Sequence, residues 1–303
     1  MKPGERNRKE FIGGSDISAV MGLSQWVTPL RLWAEKTGKI PERDLSDNET
    51  VQVGTDLEQY VAERFTKKTD LKVRRDERDF THPEFPYMRA HIDRWIVGED
   101  ALLECKTTSA YNLHKWLGED MPREYILQVN WYCGIVKKSI GYVACLIGGQ
   151  RFAWKKIVFD AVLFEKQVAA AREFWENNVA NDIPPVAMAE DSETMSELYP
   201  DSDSSSRTFE GEDMEKLNNL IDERQGGIEQ LKIIEAEVEG LKNQIKQYMG
   251  EAEIGSTNRF TITLKKQRVA PFIDTERLKE DGVYEKYEVF NEARVLRTKL
   301  HKS

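Results

Sequence analysis

The chain predicts an α/β (α+β) layer fold: a mixed central sheet flanked by helices, then a C-terminal helical, coiled-coil-like arm and a small basic tail. Three observations carry this. Apolar patterns run helix, helix, strands, helix, strands, helix through residues 1–180. Residues 181–211 are rich in Pro, Ser and Asp, as in a linker or a long surface wrap. From Met214 to Tyr248 apolar residues recur mostly at steps of three and four, a coiled-coil-like seam. The expected divisions are therefore 1–180, a linker at 181–211, an arm at 212–250 and a tail at 251–303.

Ser15 and Asp16 after Gly13-Gly14 read as a helix start, followed by apolar Ile17, Val20 and Met21. Helices are expected over 28–36, closed by Gly38, and over 51–68, where Val53, Leu57, Tyr60, Val61 and Phe65 share a face. Strands follow near 71–80, 87–97 and 101–107, with the proline-punctuated 81–86 as a connection. Helical pattern returns at 111–117 and 123–136. Strands at 140–147 and 151–159, joined by Gly148-Gly149, read as a hairpin, and a helix spans 161–177. Gly226-Gly227 should weaken the arm by about 1 kcal/mol each relative to alanine, which predicts a helical hairpin or an interrupted helix. A strand at 259–266 and a short helix near 275–280 complete the chain.

Composition narrows the class. No apolar run approaches the ~20 residues of a membrane span, the N-terminus lacks the apolar segment of a signal peptide, and a cytoplasmic protein is expected. Three cysteines without a Cys-x-x-Cys pair read as free thiols, too few for a four-cysteine zinc or iron–sulfur site. The net charge of −9 is unevenly spread: −1 over residues 1–185, −12 over 186–255 and +4 over 256–303. The balanced first part contains a basic run (Arg64, Lys67, Lys68, Lys72, Arg74, Arg75, Arg78) that can face phosphates or simply be a solvated surface.

The chemistry concentrates in residues 91–106, where Asp93 is followed, across the turn Gly98-Glu99-Asp100, by Glu104-Cys105-Lys106. An acid, about ten residues, then acid–apolar–lysine is the spacing of a metal-dependent phosphodiesterase core. Carboxylate oxygens suit Mg²⁺, and strand alternation turns Glu104 and Lys106 to one face and Cys105 into the core, its carbonyl free to be a further oxygen ligand. Strand-edge carboxylates are the plainer reading of the two acids. Lys106 beside Glu104 on an otherwise apolar strand shifts the balance, because two charges on one face of such a strand are costly unless they serve a site. Lys106 would then orient and polarise the attacking water. Glu58 can approach the same site or face solvent from its helix, and Gln128 is either a site residue or a satisfied core amide.

Five ordered segments, 8–15 (Arg-Lys-Glu-Phe-Ile-Gly-Gly-Ser), 54–58, 91–93, 104–106 and 125–128, resemble the phage λ-exonuclease/YqaJ-type viral recombinases of the PD-(D/E)XK nuclease superfamily. The resemblance covers about residues 8–180 and is specific as a set. It implies a restriction-endonuclease-like core and an Mg²⁺-dependent 5′→3′ exonuclease that degrades one strand of linear duplex DNA to leave 3′ tails for recombination. It further implies two Mg²⁺ ions (with Mn²⁺ as a substitute), a ring-shaped homotrimer, a phage single-strand annealing protein as partner, and a phage- or prophage-encoded protein in the bacterial cytoplasm. By the same resemblance Asp93, Glu104, the Cys105 carbonyl and Glu58 hold metal, Lys106 activates water, and Gln128 is the active-site glutamine. Arg8 and Ser15 fall in the 5′-phosphate pocket, and His91 replaces a serine of the family there. Rival readings are an endonuclease of the same superfamily, and a nuclease-fold scaffold that binds a recombination partner through its arm. The arm and tail lie outside the resemblance to the nuclease core, and Arg259, Lys265, Lys266 and Arg268 make the tail basic enough to contact DNA.

Overall fold

The computed structural model describes residues 7–45, 47–116, 118, 121–266, 273–287, 296 and 298. Two compact units are present, Met1–Pro200 and Asp201–Ser303.

The first unit opens with α1 (Ile17–Val20) and α2 (Pro29–Thr37), the latter capped by the Thr28 hydroxyl at its start and by left-handed Gly38 at its end. The longer α3 (Glu49–Thr69) begins at Asn48, whose side chain accepts from the Thr50 and Val51 N–H groups. Four short strands follow: β1 (Val73–Arg75), β2 (Asp79–Thr81), β3 (Arg89–His91) and β4 (Arg94–Ile96). The two long strands expected at 71–80 and 87–97 are thus each broken in two. Between β1 and β2 the buried Asp76 carboxylate accepts from the Arg78 backbone N–H (3.1 Å) and guanidinium (Nη2, 2.6 Å) and from Trp95 Nε1 (3.0 Å). Local side-chain bonding of this kind competes with a continuing ladder. Between β3 and β4 the break falls at Ile92-Asp93, which frees Asp93 from the strand.

Next come β5 (Ala101–Thr108), a 3₁₀ segment (Ala110–Trp116), α4 (Arg123–Val136), β6 (Ile140–Ile147), β7 (Arg151–Val158) and α5 (Ala161–Glu173), which runs on into a π-helical turn (Phe174–Val179). Leu117, at the end of the expected 111–117 helix, lies outside the described residues. The main sheet has the order β1-β4-β5-β6-β7. β5 and β6 are parallel and the other pairings antiparallel, so the sheet is mixed as expected. A parallel pair needs a crossover, and α4 supplies it. β2 and β3 form a separate ribbon.

Helices cover both faces. Val61, Ala62 and Phe65 of α3 pack on Ala101, Leu103, Ala144 and Leu146. On the other face Leu102, Val143, Cys145 and Ile147 meet α1, α2, α4 and α5 through Ile17, Trp33, Val129, Trp131 and Ala171. Each large apolar side chain buried in this way contributes about 1.5–3 kcal/mol. Gly141 lets α4 approach β6 closely, since a Cβ there would stand 2.1 Å from Val129. α6 (Ser192–Leu198) folds back onto α2: Thr28 Oγ1 donates to Asp191 (2.5 Å) and Arg31 pairs with Glu197 (2.5 Å).

In the second unit α7 (Gly211–Met249) is one uninterrupted helix of 39 residues, not the hairpin or broken helix expected. Gly226 and Gly227 sit in open space, and glycine lowers helix stability without the steric block and lost N–H of proline. The seam residues Leu231, Ile234, Val238, Leu241 and Ile245 are exposed. The tail strand is shorter than 259–266: β8 (Ile254–Ser256) pairs with β9 (Thr261–Thr263), and α8 (Thr275–Glu280) follows. Arg268 lies outside the described residues.

Candidate active site

β5 places Glu104 and Lys106 on the face beneath α4, and their side chains meet, Lys106 Nζ to Glu104 Oε1 at 2.6 Å. Gln128, one helical turn before Tyr132 on α4, donates Nε2–H to the same Glu104 oxygen (2.7 Å) and contacts the Tyr132 hydroxyl (2.9 Å). Asp93 reaches β5 from the opposite direction: its Oδ2 accepts the Cys105 N–H at 2.8 Å. The β4 ladder ends opposite Leu103, so this edge of β5 is open at Cys105. The N–H and carbonyl of one strand residue face the same edge, so the Cys105 carbonyl points toward the side where Asp93 sits. The Cys105 side chain packs instead toward the α3 core.

Glu104 is buried, and its Oε2 is a buried oxygen with no hydrogen-bond partner among the described residues. Burial, with Asp93 alongside, pushes its carboxyl up to about 8 even though Lys106 pulls the other way. Asp93 is raised for the same first reason, burial. Burial also works against the Lys106 charge, but Glu104 and Asp93 outweigh it and hold the ammonium firmly protonated. The Cys105 thiol is pushed well up by burial and the neighbouring acids, which leaves it protonated and unreactive.

Glu58 stands against Arg94, whose Nη1 donates to its Oε1 at 2.5 Å and to the Asp93 carbonyl at 2.6 Å, while Nη2 reaches Gln59 (3.0 Å). Its charge still raises the Asp93 carboxyl. Among the described residues no three His, Cys, Asp or Glu side chains form a metal-holding cluster. The orphaned Glu104 Oε2, with the Asp93 carboxylate and the Cys105 carbonyl nearby, offers the hard oxygen donors that suit a divalent cation.

A second subsite adjoins. Arg8 Nη2 lies 3.3 Å from Ser15 Oγ and 2.8 Å from Asp16 Oδ1, so the structure brings Arg8 and Ser15 together. α1 starts directly after Asp16, as expected, but the Asp16 side chain makes no capping bond. Its other oxygen accepts from the Gly13 N–H (3.1 Å) and from buried Lys36 Nζ (3.0 Å), which also bonds the Arg8 and Phe11 carbonyls (2.9 and 2.6 Å). Burial opposes the Asp16 charge, yet Lys36 and Arg8 outweigh it and hold the carboxyl below its ordinary range. Arg8, Ser15, His91 and Tyr132 line one cavity of about 300 Å³. Tyr132 thus borders both subsites, and Gly14 is required beneath it because a Cβ there would sit 2.3 Å from the ring. His91 closes the cavity 3.5 Å from Asp79.

Residues 5–139 match the YqaJ-like viral recombinase domain. The YqaJ protein of Bacillus subtilis (strain 168) is 36% identical over 286 residues, 92% of this chain and 88% of that protein. The chain belongs to the YqaJ family. Solved structures similar to this YqaJ-family chain include an alkaline exonuclease (LHK-Exo) from Laribacter hongkongensis, 17% identical with a TM-score of 0.49 over 58% of this chain and 91% of that one. A phage-related exonuclease from Haemophilus somnus 129PT is 12% identical with a TM-score of 0.46, over 57% and 96% of the two chains. No helix among the described residues of this family member is long and apolar enough to cross a membrane.

Sequence reasoning passed over Asp16, Lys36, Arg94 and Tyr132. Asp16 was read, with Ser15, only as the start of a helix after Gly13-Gly14. Lys36 and Arg94 carried no signal, since each is one basic residue among many until the fold buries it.

Proposed function

We propose that the protein is a metal-dependent deoxyribonuclease, a 5′→3′ exonuclease that trims one strand of linear duplex DNA and leaves 3′ tails for phage-type recombination. The observation that carries this reading is the link Glu104–Gln128–Tyr132, which joins a buried carboxylate pair to a cavity holding Arg8 and Ser15. A hydrolytic centre and an anion pocket in contact suit cleavage counted from a phosphorylated end.

Asp93, Glu104 and the Cys105 carbonyl would hold Mg²⁺ (or Mn²⁺), and two ions are in keeping with the family resemblance. When bound, a divalent ion neutralises phosphate charge and makes water a stronger nucleophile at neutral pH. The chain's own groups do the rest. The Cys105 N–H fixes Asp93, and Gln128 and Lys106 fix Glu104 through Oε1, leaving Oε2 free. Lys106, held protonated, serves as a donor that orients water and offsets charge building on the phosphate, and not as a base. Arg8 and Ser15 receive the terminal phosphate as a guanidinium–hydroxyl pair, with His91 at the rim. Glu58, engaged with Arg94, acts on the site through Asp93. A ring trimer and an annealing-protein partner are supported by the family resemblance.

The test is end-labelled linear duplex with Mg²⁺, comparing 5′-phosphate, 5′-hydroxyl and covalently closed circular DNA. Mononucleotide release from the 5′-phosphorylated strand, with the circle intact, is the expected result. Cutting of the circle would establish an endonuclease instead, and no degradation of any substrate would leave a scaffold.

A further inference from the structure

We infer that Arg89 is a second guanidinium of the terminal-phosphate pocket, and that it sets the discrimination between phosphorylated and unphosphorylated DNA ends. The inference rests on the pocket assigned above to Arg8 and Ser15.

Arg89 begins β3 and lines the same cavity as Arg8, Ser15 and Gly14. Its place there is built by the backbone. The Ile12 N–H donates to the Tyr87 carbonyl (2.7 Å) and the Arg89 N–H to the Ile12 carbonyl (2.9 Å), which stitches the segment carrying Ser15 alongside the start of β3. The guanidinium lies 4.9 Å from the centre of the Phe11 ring. Phe11 is itself held, its carbonyl accepting from buried Lys36 at 2.6 Å. A guanidinium over an aromatic face is held by cation–π attraction while its N–H groups remain able to fork onto an oxyanion.

Charge decides what the second arginine adds. Arg8 and Lys36 share Asp16, at 2.8 and 3.0 Å, and Arg8 also approaches Glu42 at 3.4 Å, so two cations here already face two acids. Asp79, the one acid among the described residues lining this cavity, is 3.5 Å from His91. Arg89 forms no ion pair with a carboxylate among the described residues. A phosphate monoester carries about −1.5 to −2 at pH 7, whereas an internal phosphodiester carries a single charge. Arg8 with its paired acids can orient such a group but cannot balance the extra charge. Arg89 supplies the uncompensated cation, so its contribution should appear only when the end is phosphorylated.

The experiment measures Kd by fluorescence anisotropy for duplexes ending in 5′-phosphate or 5′-hydroxyl, with Ca²⁺ in place of Mg²⁺ to prevent turnover. Wild type, Arg89→Gln and Arg8→Gln are compared. Arg89→Gln should lower the hydroxyl-to-phosphate Kd ratio about tenfold or more, in line with loss of a charge-assisted bond. Its affinity for the 5′-hydroxyl end should change less than about threefold. An unchanged ratio, or equal weakening for both ends, overturns the inference, because a merely structural or general electrostatic role acts on both. If Arg8→Gln collapses the ratio and Arg89→Gln does not, the pocket stands and Arg89 is excluded from it. No preference in the wild type overturns both. Should Arg89→Gln fail to fold, Arg89→Met, which keeps an apolar stem over Phe11 and removes the charge, takes its place. An Arg89→Met ratio equal to wild type then overturns the inference, and a ratio lowered about tenfold supports it.

Discussion

Replacing Lys36 with methionine keeps the length and apolar stem of the side chain and removes one ammonium. That ammonium is buried and bonded three times, to the carbonyls of Arg8 (2.9 Å) and Phe11 (2.6 Å) and to Asp16 (3.0 Å). Breaking a buried pair from one side costs about 3–5 kcal/mol, because the remaining charge stays buried with less compensation. Asp16 would keep Arg8 and the Gly13 N–H, which argues for the lower end of that range; the two carbonyls left without a donor argue for the upper. Against a typical total of about 5–15 kcal/mol, such a loss is large. Every tryptophan precedes residue 200, so tryptophan fluorescence in urea follows the first unit alone. With m of about 1–3 kcal/mol/M, the midpoint should fall by at least about 1 M. The deficit should be largest near neutral pH. The Asp16 carboxyl lies below its ordinary range in the folded state, so the stability it contributes is present above its unfolded pKa of about 3.8 and is lost as pH falls through the folded value. The gap between wild type and variant should accordingly narrow in acid. A deficit below about 1 kcal/mol, or one that does not depend on pH, would refute the brace.

Three further outcomes are expected. Lys106→Ala should abolish degradation of end-labelled duplex while leaving DNA affinity within about threefold, since the phosphate contacts at Arg8 and Ser15 remain; parallel loss of binding and of the folded state would remove Lys106 from the chemistry. Divalent-ion affinity, measured calorimetrically, should rise about tenfold per pH unit up to the Glu104 value of about 8 and then level, because binding must displace that proton; the same raised carboxyl contributes to folding stability below its unfolded pKa and loses that contribution as pH rises through about 8, and a flat affinity profile would contradict the assignment. Gly14→Ala should cost about 1–3 kcal/mol by driving a methyl into the Tyr132 ring, with thermal unfolding of the variant as the check; an unchanged midpoint would mean that Tyr132 is free to move.

Much of the architecture was legible because it rests on local rules. α4 begins and ends at 123 and 136 as its apolar spacing indicated, and the start of α2 was marked by Thr28 and its end by Gly38. The errors fell where local and tertiary interactions compete. Strands at 71–80 and 87–97 were each expected as one element, yet the Asp76 and Asp93 carboxylates each accept a backbone N–H and the chain passes from one sheet to the other beside them. The arm looked interrupted because two glycines are poor helix formers, yet nothing around them offers the backbone an alternative.

The candidate site divides in the same way. That Glu104 and Lys106 share a face follows from strand alternation alone, and the pairing at 2.6 Å realises it. By itself the sequence determined the residue types, their order and the family they resemble. Only the tertiary structure decided which of the many acids and bases meet. It tied Glu58 to Arg94, buried Glu104 with one oxygen left over, and placed Lys36 under the loop that carries Arg8. It also set Arg89, 81 positions along the chain from Arg8, against the same cavity. The reason is physical: periodicity is a property of neighbours along the chain, whereas the energy of a charge depends on how much water it has lost and on which opposite charge, however distant in sequence, has been packed beside it.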